Sequence, residues 1–233
     1  MAGVPGPRVA RVTRPVPLRP VLLYLAWAYT AWSLRVLLLG PWERAHFSGG
    51  AMELYYHLLR EAVWLLPIPL VLRAWGERGW ARALALAPLP PVRRLLEGLA
   101  WAALYLLLTD LLQRALAGPP SSPDALAQLG VGGALLTLLS AAEEELVFRG
   151  FLRFAFEQRT GPVRAALLTS LLFALIHVPG LWLQLGASPA IAVLLGALFV
   201  LGLALSLVTR RSGSLWPAVL LHALNNLFAA LYG

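Results

Sequence analysis

Three short stretches of this 233-residue chain set acid–base groups inside apolar sequence. The first, LLTLLSAAEEELVFRGFLRF, contains Glu143, Glu144, Glu145 and Arg149; the second, SLLFALIHVPG, holds His177 with Phe173 one turn earlier; the third, WPAVLLHALNNLF, holds His222 and Asn226. Carboxylates, imidazoles and carboxamides are the groups with which proteins accept, hold and donate protons, and two histidines with a glutamate also make up many catalytic zinc sites. A charge near the centre of a membrane helix costs roughly 2.5–3.5 kcal/mol on insertion scales, so four in one stretch require a reason.

Helical geometry separates them. Successive residues lie about 100° apart, so the three glutamates cannot share a face. Glu145 and Arg149 are spaced i, i+4 with the acid first, the favourable order for an ion pair, which leaves Glu144 on another face. His222 and Asn226 share a face, and Asn225 is turned away. Taken singly, each feature has an ordinary reading: the glutamates as a cluster at the membrane boundary paired with Arg149 and Arg153, and His177 as a satisfied core group. His46 and His57, in or beside the first outer connection, receive no role. Depth favours the set over its parts. At 1.5 Å per residue, Glu144 lies about 13 Å from Arg153, His177 about 20 Å from Arg164 and His222 about 17 Å from Arg211, so one carboxylate, two imidazoles and an amide reach a common level.

The elements that hold these groups must be membrane helices. The chain is 59% hydrophobic and 13% charged, and its apolar runs suit a hydrocarbon layer about 30 Å thick. Spans are expected near 21–39, 54–72, 95–117, 130–152, 165–186, 190–208 and 214–232, helical because open sheet edges find no partners in lipid. The 54–72 span is the least regular, carrying Arg60, Glu61, Pro67 and Pro69. Breaks fall at Ala87-Pro88-Leu89-Pro90-Pro91, Gly118-Pro119-Pro120-Ser121-Ser122-Pro123 and Arg211-Ser212-Gly213. The first apolar run is too long for a signal-peptide core and no small-residue cleavage site follows, so it is read as a retained span. All nineteen basic residues are arginine. Fifteen lie in connections that share one side and two, Arg44 and Arg114, on the other, which predicts a cytoplasmic N-terminus and an external C-terminus. This placement, despite a net charge of +8, points to lipid headgroups and away from nucleic acid. With no cysteine, disulfides, thiolate chemistry and cysteine-bound metal are excluded.

The ordered motifs Glu144-Glu145-x-x-x-Arg149, Phe173-x-x-x-His177 and His222-x-x-x-Asn226 resemble those of the CPBP family, which holds the type II CAAX prenyl endopeptidases and the abortive-infection or bacteriocin-processing proteins. The resemblance covers roughly residues 125–233. It implies that Glu144 activates a water with help from His177, that His222 and Asn226 stabilise the oxyanion, and that Glu145, Arg149 and Phe173 support them. It does not transfer a substrate, a cleavage position or a prenyl requirement. Peptide hydrolysis does require a base for water and a donor for the developing oxyanion, and no serine or cysteine nucleophile competes. Asp110 stands apart as an interhelical partner or a solvated group. A zinc-dependent variant is the rival within the site, but no His-Glu-x-x-His helix is present and asparagine is a poor zinc ligand.

The reading is therefore an all-α transmembrane bundle of about seven helices (six to eight). A cytoplasmic Arg/Pro-rich segment 1–20 and variable helices 21–124 precede a catalytic core at 125–233. Its expected activity is metal-free endopeptidase cleavage of a peptide or membrane-protein substrate within a bilayer, with no cofactor. A lysine-free, Ala-, Leu-, Arg- and Pro-rich composition suggests a prokaryotic plasma membrane. The alternative is a non-catalytic immunity or scaffold protein that keeps polar groups for helix association. A transporter would show inverted repeats or matched broken helices, and neither is present in the sequence.

Overall fold

A computed structural model describes residues 17–76, 79, 81, 84–87, 89–119 and 124–232. Most of the 1–20 segment, Pro88, the Pro120–Pro123 part of the expected break, Arg8, Arg11, Arg14, Arg78 and Arg82 lie outside the described residues. The described elements are helical. Helix α1 (Leu18–Leu34) runs through a π-helical turn, Arg35–Leu39, into α2 (Gly40–His46). Helix α3 (Gly49–Arg60) passes through a second such turn, Glu61–Leu65, into α4 (Pro67–Trp75). After α5 (Val92–Ala117), α6 (Ala125–Glu145) continues through a third π-helical segment, Leu146–Leu152, into α7 (Arg153–Leu175). Helices α8 (Val178–Leu185), α9 (Ala190–Ser212) and α10 (Trp216–Tyr232) complete the bundle.

The chain is an integral membrane helical bundle. Four described stretches are long and apolar enough to cross a bilayer: Leu18–His46, Val92–Ala115, Leu129–Leu185 and Ala190–Ser212. At 57 residues the third exceeds twice the roughly 20 that one crossing needs. Gly161, at φ 78°, with Pro162 after it, interrupts α7 there, and only glycine takes that left-handed backbone freely. The expected connection between spans 130–152 and 165–186 is thus a helix with one turn in it, because neither Arg153 nor Arg159 breaks helical backbone. The expected span 165–186 is itself divided: α7 ends at Leu175, and Pro179 in the first turn of α8 fits a new helix start. The 54–72 region is helical but divided at Leu66, and α10 at 17 residues falls short in length.

Burial is inverted relative to a water-soluble protein. Leu22, Leu38, Leu66, Leu108, Val131 and Val193 face outward, whereas Glu143, Glu144, Glu145 and Arg149 are buried. Outward leucines suit lipid, and inward charge requires internal partners. Aromatic side chains fill the space around the polar groups, with Tyr24 edge-on to Phe151 at 5.0 Å and Trp64 edge-on to Phe148 at 6.3 Å. Helix α9 lies against α5 and α7, while α10 lies against α5 and α6. Close approach of α9 to α7 requires a residue without a side chain, since a Cβ on Gly202 would sit 2.8 Å from Ser170 Cβ.

The candidate active site

Glu144 lies in the last turn of α6, immediately before the π-helical segment, and the three glutamates fan out so that Arg60 is shared by Glu143 and Glu144 and His222 by Glu144 and Glu145. Such single-turn π insertions re-aim side chains and recur at functional sites. Glu143 turns toward α3, where His57 Nδ1 is 2.8 Å from its Oε1 and Arg60 Nη1 3.2 Å from its Oε2. Glu145 accepts from Arg149 Nη1 at 2.9 Å and meets His222 Nδ1 at 3.0 Å, both through Oε1. Glu144 faces the remaining space. Its Oε1 is 3.4 Å from Arg60 Nη1, and its Oε2 is 3.9 Å from both His177 Nε2 and His222 Nε2. That Oε2 is buried and makes no hydrogen bond to the described protein groups.

His177 stands at the break between α7 and α8, a position that frees its ring from the wall of a continuous helix. Its Nδ1 is 2.8 Å from the Phe173 carbonyl oxygen. A carbonyl only accepts, so Nδ1 carries the proton and Nε2 of the neutral ring presents a lone pair. The same logic applies to His222, whose Nδ1 faces a carboxylate oxygen. Both histidines therefore aim bare Nε2 atoms at Glu144 unless protonated. They differ in access: the His177 side chain is 32% exposed and that of His222 3%. Phe173 is the wedge between them, edge-on to His177 at 5.0 Å and to His222 at 5.5 Å, with the Arg149 guanidinium 4.3 Å from its ring centroid.

Asn226 sits one turn beyond His222 on α10, half-buried, its amide without a hydrogen bond to another described side chain. Asp110 is an interhelical partner: Arg114 Nε donates to it at 2.7 Å and Tyr232 OH at 2.6 Å, tying the end of α5 to the end of α10. His46 stacks on Trp42 and stays outside the site. Two residues that sequence reasoning left without a role, His57 and Arg60, lie at the glutamates. Their signal was present as i, i+3 spacing in a helix with a charge at membrane depth, a pattern that by itself marks a functional candidate.

As ligands, the three converging atoms are widely set. Zinc binds such atoms at about 2.0–2.2 Å, which makes a tetrahedral edge of about 3.3 Å, shorter than the 3.9 Å separations here. Among the described residues no group of three or more His, Cys, Asp and Glu side chains has a spacing that would hold a metal ion. Two hydrogen bonds of ordinary length through one small polar molecule do span 3.9 Å.

Comparison with protein families matches residues 125–228 to the model described as "Type II CAAX prenyl endopeptidase Rce1-like". No curated protein and no solved structure matches the chain.

Proposed function

We propose, for a chain that belongs through residues 125–228 to the Rce1-like type II CAAX prenyl endopeptidase family, a glutamate mechanism of peptide hydrolysis inside the membrane. The observation that carries it is the convergence of His177 Nε2 and His222 Nε2 on the unpaired Glu144 Oε2, at 3.9 Å each. A water seated there donates one proton to Glu144 and its second hydrogen bond to His177 Nε2. The hydroxide equivalent attacks the substrate carbonyl carbon. The oxyanion that develops is met by the Asn226 amide and by His222. Because His222 Nδ1–H is committed to Glu145, His222 donates from Nε2 only when that nitrogen also carries a proton. Glu144 then returns its proton to the departing amine, the C–N bond breaks, and the new terminus leaves as a carboxylic acid.

A zinc-dependent version has one observation in its favour: metal-bound histidines commonly donate the other ring N–H to a carbonyl or carboxylate, as His177 and His222 do. Charge argues for the metal-free form. Arg60 already faces Glu144 and Arg149 faces Glu145, so the two carboxylates nearest the imidazoles each have a cation. Activity should therefore survive extensive dialysis against a chelator; stoichiometric zinc whose removal abolishes turnover, and whose return restores it, would decide for the metal.

The family description supports a prenylated CAAX tail as one candidate substrate class. The direct test uses purified protein in liposomes with a quenched CAAX-tailed peptide in farnesylated and unprenylated forms. Cleavage of either supports the reading, and preference between them sets the prenyl requirement. A folded protein that cleaves neither counts against it. We further place the N-terminus in the cytoplasm of a prokaryotic cell. The arginine distribution supports the orientation, as does the contact of Arg211 with Glu97 at 3.4 Å, which brings Arg93, Arg94, Arg210 and Arg211 to one end of the bundle, and the lysine-free composition supports the prokaryotic cell.

A further inference from the structure

Arg60 comes from α3, well before the family-matched segment 125–228, yet its guanidinium reaches the glutamate on which the proposed chemistry depends. Its Nη1 is 3.4 Å from Glu144 Oε1 and 3.2 Å from Glu143 Oε2, and it donates to Ser140 Oγ. The guanidinium lies beside a packed pair of indoles, 5.6 Å from the Trp32 ring centroid and 5.3 Å from that of Trp64, the two rings being 4.8 Å apart. The aromatic faces attract the cation and shield one side of it from water. His57, three residues earlier on the same helix, holds the other oxygen of Glu143 at 2.8 Å.

This arrangement divides the work of the glutamates. Both carboxylate oxygens of Glu143 are engaged by α3, through His57 and Arg60. Glu144 has one oxygen toward Arg60 and the other toward the two imidazoles. We propose that Arg60 is a positioning residue of the site: by engaging Glu144 Oε1 it fixes the carboxylate so that Oε2 faces His177 and His222. The proposal rests on the reading of Glu144 as the base. On this account the helices before residue 125 are part of the catalytic apparatus and not only its membrane anchor.

A purely structural role would make Arg60 a tether between α3 and α6, equivalent to Glu143. The experiment separates the two. In liposomes, kcat, KM and melting temperature are measured on the quenched peptide for wild type, Glu143→Gln, Arg60→Gln, Arg60→Lys and the double variant Arg60→Gln/Glu143→Gln. Glu143→Gln weakens the tether but leaves the Arg60–Glu144 contact, so it should lose melting temperature and keep kcat within about 3-fold. Arg60→Gln should lose about 30-fold or more in kcat with KM little changed, the mark of a group that acts on the transition state. Arg60→Lys, which keeps charge but offers no planar fork, should recover part of that loss. If Arg60→Gln does not insert, the double variant decides, because it leaves no unpaired Glu143 charge. It should retain the fold and still show the kcat loss relative to Glu143→Gln. A folded Arg60→Gln or double variant with the kcat of Glu143→Gln overturns the proposal. Glu144→Gln, run alongside, separates the two failures: if it is inactive while the Arg60 variants turn over normally, only the role of Arg60 falls; if it is active, the reading of the site falls with it.

Discussion

At the residue scale, helical rotation gives adjacent glutamates partner sets that differ but overlap, at Arg60 for Glu143 and Glu144 and at His222 for Glu144 and Glu145. The prediction that follows concerns Glu145, buried with Arg149 and shared with His222. Glu145→Gln removes a charge opposite a fully buried guanidinium. Breaking such a pair costs about 3–5 kcal/mol, so the melting temperature should fall clearly. The Gln oxygen still accepts from His222 Nδ1–H, so turnover should fall less than for loss of Glu144. Equal losses of turnover in the two variants, with equal stability, would contradict this division. His222 carries a second prediction: His222→Ala removes an oxyanion donor, so turnover should fall by about 10²-fold or more in a folded protein, and an unchanged rate would contradict that role. The i, i+4 pairings were legible in the sequence because helical spacing is local. The roles of His57 and Arg60 were not, since which face of α3 meets α6 depends on contacts 80 or more residues apart.

At the scale of elements, close packing explains how polar groups from distant segments meet. Helix α9 reaches α7 where Gly202 faces Ser170, and α7 carries Phe173 to its place beside both histidines. Gly202→Val should force the helices apart at a cost of about 1–3 kcal/mol, read as a lower melting temperature in detergent. Gly196→Val on the same helix is the control, because a Cβ there meets nothing within 4 Å, and it should melt close to wild type. Identical melting of the two variants would refute the close approach. Apolar runs revealed the long helices because membrane thickness sets their length. The break at Ile176–His177 was harder to see. Val178-Pro179-Gly180 carries a breaker signal, yet it lies inside an apolar run whose hydropathy continues across it. The three π-helical segments leave no composition signal of their own, since they arise from how neighbouring helices demand a shift in register.

For the whole molecule, the burial pattern places charge at the centre and leucine on the outside, which is the solution a bilayer imposes. Reporter fusions test the proposed orientation: positions near Arg78, Arg159 and Arg211 should report cytoplasmic, and the Pro119 connection and the C-terminus external. A cytoplasmic C-terminus would require an even number of crossings, through a missed or re-entrant segment, for which α3–α4 or the short α8 would be the place to look. The central claim is that Glu144 is the base of a membrane-embedded hydrolase, and one measurement bears on it most directly: turnover of the quenched peptide by wild type and by Glu144→Gln in the same liposomes, with insertion and melting temperature recorded for both. Glu144→Gln keeps shape and burial and removes only the proton acceptor, so turnover should fall by about 10²-fold or more while the protein stays folded. A folded Glu144→Gln protein that cleaves at the wild-type rate would contradict the account.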